Sequence, residues 1–116
     1  MSTPLPSLDP LLHQPLRTQL AAFLSGRGEA TFSELKRVLN ATDGNLDAHL
    51  GKLIEAGYVE SRKDPVSSGR AQTVFSLSPA GRAALMAYVA TLAELMALSG
   101  TAADQAVPAS AFIKPA

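Results

Sequence analysis

One stretch of the chain carries an excess of positive charge. Residues 58–82 hold Arg62, Lys63, Arg70 and Arg82 against Glu60 and Asp64, around the turn-forming run Ser67-Ser68-Gly69. Guanidinium and ammonium groups gathered at a turn are suited to contacting phosphates. The same cluster also suits a plain solvated hairpin, and spacing alone leaves both readings open. Over the whole chain of 116 residues the formal net charge is +0, which argues against a non-specific coat for nucleic acid.

Other chemistries are poorly supplied. There is no cysteine, so a disulfide scaffold, a zinc finger and a thiol nucleophile are excluded. The two histidines, His13 and His49, lie far apart, and no metal or cofactor is expected. No Ser/His/Asp set or phosphate-cradling glycine loop after a strand is present, and Ser67-Ser68-Gly69-Arg70 reads as a turn, not a nucleophile elbow. The chain is therefore expected not to be an enzyme. The opening Met1-Ser2-Thr3-Pro4-Leu5-Pro6 has no secretory pattern, and the uncharged run Ala83–Ala93 is shorter than a bilayer span. A soluble protein of a reducing, cytoplasmic compartment is the expectation.

The elements that would position these groups follow from periodicity. Residues 1–7 read as a flexible arm. Leu8, Leu11, Leu12, Leu16, Leu20, Phe23 and Leu24 make a helical stripe, broken by Pro15 into a turn at 10–14 and a helix over about 15–25. Thr31 and Glu34 form a capping box for a helix over about 32–39, with Phe32, Leu35, Val38 and Leu39 inward. Thr42 caps a third helix over 43–56, with Leu46, Leu50, Leu53 and Ile54 buried and Gly57 as its left-handed stop. Two short helices so closely joined form a helix-turn-helix pattern.

The period then changes to that of strands at 58–63 and 72–77, joined by a long loop. Ser78-Pro79 starts a last helix that runs to about Leu98, whose stretch from Ala83 has Glu94 as its single charge. A helix apolar on all sides either covers the hairpin and first helix of its own chain, or does so on one side and meets a second copy on the other. In the second reading Leu85, Tyr88, Val89, Leu92, Leu95 and Met96, with Leu8, Leu11 and Leu12, are the candidates for a homodimer seam. The junction of first and last helices offers His13 and Tyr88 as polar groups. It could hold a small-molecule effector of unknown identity, or simply be a closed seam. Residues 99–116 read as a flexible tail. The predicted fold is mainly α (α+β): a winged helix-turn-helix over 8–98 with an extra C-terminal dimerisation helix.

Several segments are similar to small MarR-like winged-helix transcriptional regulators. They are Leu8-Asp9-Pro10 through Arg17, Thr42-Asp43-Gly44-Asn45 with Leu46, His49-Leu50 with Lys52-Leu53, Glu55 through Val59, and Phe75 through Arg82. The resemblance covers about residues 8–98. It implies a homodimer that binds double-stranded DNA, usually as a repressor, on a pseudo-palindromic operator. Helix 43–56 would enter the major groove and the wing, residues 62–72, would lie at the minor groove.

In that setting Gly44, Asn45, Ala48, Gly51 and Lys52 lie on faces opposite or flanking that of Leu46, with Glu55 a turn further along. Asn45 could pair with adenine, and Lys52 could reach guanine or a phosphate. Gly44 and Gly51 suit close approach to base edges, or are merely tolerated. His49, at the rim of the buried stripe, is either a packed histidine bonded to a neighbour or a DNA contact. Thr31, Ser33, Lys36, Arg37 and Thr42 lie where helix ends meet a DNA backbone, and Lys36 and Arg37 also suit plain solvent exposure. Arg62, Lys63, Ser68 and Arg70 supply the wing. The family often has a second basic residue where this chain has Gln72, which weakens the expected wing. A winged-helix interaction adaptor or antagonist with little DNA affinity is the alternative.

Overall fold

Each helix begins at a side chain that can cap it. In the computed structural model, which describes residues 5–65 and 71–100, Gln14 caps α1 (Pro15–Arg27) by accepting from the Arg17 N–H at 2.8 Å. Thr31 caps α2 (Phe32–Leu39) through the complete capping box with Glu34. Thr42 caps α3 (Asp43–Glu55), and Ser78 caps α4 (Pro79–Leu98). Before α1, Asp9 folds a single turn by accepting from the N–H groups of Leu11, Leu12 and His13. The turn and the helix are thus separate, as Pro15 requires, but Gln14 as the cap was not foreseen.

The sheet has three strands among the described residues, one more than the sequence suggested. β1 (Glu29–Thr31), β2 (Val59–Asp64) and β3 (Gln72–Leu77) are ordered β1-β3-β2 and are antiparallel throughout. β1 is too short to display alternation. It exists because Gly28 turns the chain at φ 97° and lets Ala30 pair with Phe75, where Ala30 is buried. The helix-turn-helix thus hangs from the same sheet that carries the wing.

One core serves all elements. Leu12, Leu20, Leu24, Leu35, Leu46, Leu50, Leu53, Val59, Phe75, Leu77 and Tyr88 pack in it. Two residues placed inward by pattern are not there: Val38 is 45% exposed and Ile54 38%. Each flanks its helix's buried stripe instead of centring it, and among the described residues that flank is only partly covered. Leu12 and Tyr88 lie inside this core and so are already covered by their own chain.

α3 ends in a reversal. Gly57 has φ 82°, its N–H donates to the Ile54 carbonyl, and the Tyr58 N–H donates to the Leu53 carbonyl. This is the paired hydrogen-bond pattern of a glycine-stopped helix. The Tyr58 carbonyl then accepts from the Ser78 N–H at 2.9 Å, which pins the start of α4 to the start of β2. Gly81 makes that approach possible, because a Cβ there would lie 2.1 Å from the Tyr58 carbonyl oxygen.

α4 has 20 residues and is long and apolar enough, by length and composition, to cross a membrane. The helix continues through Glu94, so the expectation that it is too short, drawn from residues 83–93, does not hold. Most of it is uncovered: Met86, Val89, Leu92, Met96 and Leu98 are all exposed. The expected arm and tail lie largely outside the described residues.

Gly81→Ala is expected to destabilise the protein by about 3 kcal/mol, because the clash is with backbone that cannot rotate away. Urea denaturation of the two proteins measures this.

Candidate nucleic-acid interface

The capped start of α3 presents its first turn outward. Thr42 Oγ1 accepts from the Asn45 N–H at 3.1 Å, and Asp43, Gly44, Asn45, Asp47 and Ala48 are all exposed. Leu46, Leu50 and Leu53 hold the opposite face in the core. Gly51, Lys52 and Glu55 continue the exposed surface. A Cβ added at Gly44 or Gly51 would meet nothing within 4 Å. Nothing among the described residues therefore requires glycine at either position.

The cations foreseen for the interface divide into two groups. Lys36 is ion-paired with Asp43 at 2.8 Å. Arg62 is held by Glu29 at 2.7 Å and Asp64 at 3.2 Å, and these two carboxylates push its pKa up. Both pairings are exposed, so each is a weak competitor for a phosphate. Arg37 and Lys52 are exposed and belong to none of the ion pairs of the described residues, while Lys63 donates to Thr73 Oγ1. Ser33 is exposed at the start of α2, and the Thr31 hydroxyl is occupied as a cap. Ser68 and Arg70 lie outside the described residues.

His49 is bonded to a neighbour. Its Nδ1 lies 2.9 Å from Nη1 of Arg17, whose Nε also donates to the Leu11 carbonyl at 2.6 Å. Arginine has only donors, so Nδ1 must accept and the ring is neutral. Burial first, then the charges of Arg17 and Lys52, push its pKa below the ordinary 6.5. The sequence reading missed Arg17, because a partner 32 positions away leaves no local signal.

At the far side, His13 Nδ1 and the Tyr88 hydroxyl are 3.0 Å apart, so the two polar groups of the α1–α4 junction pair with each other. The Tyr58 hydroxyl donates to Asp9 at 2.6 Å, and that bond raises the Tyr58 pKa.

A capped, outward-facing helix, joined to a shorter one before it and followed by a two-stranded wing, defines a winged helix-turn-helix protein. Residues 16–96 match the model of the winged helix DNA-binding domain, and the chain belongs to that family. An uncharacterised protein of Methanocaldococcus jannaschii is 38% identical over 85 residues, spanning 73% of this chain and 91% of that one. A transcriptional regulator homologue from Pyrococcus horikoshii superposes with a TM-score of 0.68 at 31% identity, covering 74% of this chain and 84% of that one. The transcriptional repressor BigR from Xylella fastidiosa superposes with a TM-score of 0.56 at 27% identity, covering 72% and 79%. The resemblance to small MarR-like winged-helix regulators stands.

A histidine whose folded pKa is lowered stabilises the fold above its unfolded pKa, and that stability is lost as pH falls through the folded value. The window therefore opens near 6.5 and extends downward. The melting temperature of the wild type should fall between pH 7.5 and 5.5, and His49→Gln should fall less. Thermal melts at the two pH values check this.

Proposed function

We propose that this protein is a sequence-specific DNA-binding transcriptional regulator, cytoplasmic and homodimeric, acting as a repressor at a pseudo-palindromic operator. The observation that carries this reading is Gly51, on the exposed face of α3. It faces outward into open space, as Gly44 does in the first turn, and a glycine at the mid-helix position 51 costs about 1 kcal/mol against alanine. Packing among the described residues gives no return for that cost. A backbone that must come close to base edges in a major groove does.

Asn45 is the base reader in this scheme, with Lys52 on guanine or a phosphate. Arg37, Lys63 and the wing arginines hold the backbone, Arg62 by exchanging its two carboxylates for phosphate oxygens. The Xylella repressor supports the repressor reading, and the Pyrococcus homologue supports regulation more broadly.

The second copy would pack on α4. Met86, Val89 and Met96 are more than half exposed, on a helix whose single charge after Arg82 is Glu94. Burying such a surface against its symmetric copy removes apolar area from water at about 25 cal/mol per Å². Leu85 and Leu95 are half-buried at its edge, and Leu8 and Leu11 lie half-buried near the first turn. Dimerisation accounts for the apolar length of α4 without a bilayer, because its start is pinned to β2 and Tyr88 lies in the core.

The adaptor reading has one observation in its favour: Lys36 and Arg62, two of the foreseen phosphate contacts, are already neutralised by carboxylates. Selection of binding sites from random duplex DNA at two salt concentrations separates the readings. Enrichment of an inverted repeat with half-sites about one helical turn apart is expected. A protein that enriches no sequence at low salt, and yet retains a protein partner at high salt, is an adaptor.

Two variants sharpen this. Gly51→Ala should raise the stability by about 1 kcal/mol while weakening binding to the selected site, which denaturation and titration read separately. Val89→Glu should halve the mass seen by sedimentation equilibrium and abolish tight binding with the reader helix intact.

A further inference from the structure

His49 has a free end. Its Nδ1 is taken by Arg17, and its Nε2 has no hydrogen-bond partner among the described residues. No buried side-chain nitrogen or oxygen there lacks a partner, so Nε2 reaches solvent. With Nδ1 forced to accept, the ring proton must sit on Nε2. The ring is thus a donor aimed out of the protein, in a fixed orientation.

The surroundings of that donor are cationic. Lys52 follows three residues later, on the same flank of α3 and exposed. Arg17 comes from α1, half-buried, with its charge unopposed: none of the ion pairs of the described residues includes Arg17 or Lys52. Arg17 is also tied to the first turn through the Leu11 carbonyl, so its guanidinium cannot swing away without losing that bond. This flank lies roughly opposite Ile54, which lines the cleft toward β2 with Val59 and Arg62. It is therefore the side of α3 away from the wing.

We propose that Arg17 is a positioning residue that holds the His49 Nε2–H outward, so that His49 and Lys52 together grip one phosphate of duplex DNA on the flank of α3 opposite the wing. The proposal rests on the DNA-binding reading above and adds a second backbone anchor to it. The wing would hold one side of the reader helix and this site the other. Two anchors on opposite flanks fix the rotation of α3 in a groove, which one anchor does not.

The test uses the full chain and a short duplex taken from the selection experiment. Ring-nitrogen NMR of labelled protein at pH 7.5 reads the His49 tautomer directly. An unprotonated Nδ1 and a protonated Nε2 that shifts when duplex is added are expected. A protonated Nδ1, or an Nε2 indifferent to the duplex, overturns the proposal without any variant. Arg17→Met and His49→Gln are each expected to weaken binding by about tenfold, equivalent to about 1.4 kcal/mol. The double variant should also lose about tenfold, because both changes remove the same contact. His49→Gln removes no charge and should leave the salt slope unchanged, whereas Lys52→Ala should flatten it by about one phosphate per protomer. A hundredfold loss in the double variant, or a salt slope that Lys52→Ala leaves unchanged, overturns the proposal. If the wild type binds no duplex, the regulator reading fails and the phosphate assignment fails with it. If the wild type binds and Arg17→Met binds equally well, this proposal alone fails.

Discussion

The structure depends on one backbone carbonyl, that of Tyr58. It accepts from the Ser78 N–H, and it occupies the space a side chain at Gly81 would need. Three elements meet there: the end of α3 through the Gly57 reversal, the start of β2, and the start of α4. The Ser78 hydroxyl reinforces the junction by donating to the Gly57 carbonyl and accepting from the Gly81 N–H. On its other side the Tyr58 hydroxyl holds Asp9, which shapes the first turn. α3, the wing and the apolar helix α4 are thus referred to a single point. A dimer built on α4 would pass its geometry to α3 through that point.

The second organising constraint is the division of charge. The chain is neutral, and most of its cations near the interface are either paired or tied by a hydrogen bond. Arg62 is held between two carboxylates and Lys36 by Asp43, while Arg17 is held by a carbonyl and an imidazole. Arginines fixed in this way lose less side-chain entropy when a phosphate arrives, but their partners must be displaced or tolerated.

α4 is covered by its own chain on one side only. Its buried side carries Tyr88 and Gly81 into the chain's own core, while Met86, Val89 and Met96 are left uncovered. The uncovered side is rich in alanine, leucine and methionine and almost without charge, so water is a poor cover for it. Length and composition alone would also admit a bilayer span. The pinning of its first turn and the burial of Tyr88 tie it to the globular core instead.

Much of this was legible in the residues themselves. Helix starts were written locally, because a cap and its N–H lie within three residues of each other, as at Thr31, Thr42 and Ser78. The strands of the wing and the stop at Gly57 are local for the same reason, and so is the family resemblance that follows from them. What the sequence could not decide was long-range. β1 exists only because β3 is there to pair with it. Val38 and Ile54 fit their helical stripes yet face outward, since coverage depends on which neighbours arrive. The partner of His49 lies on another helix, and the sense of its tautomer, hence the direction in which it can donate, is set by that arginine. Periodicity fixes which residues share a face of a helix. Only the packing of one element against another decides which faces are covered and which side chains meet across the gap.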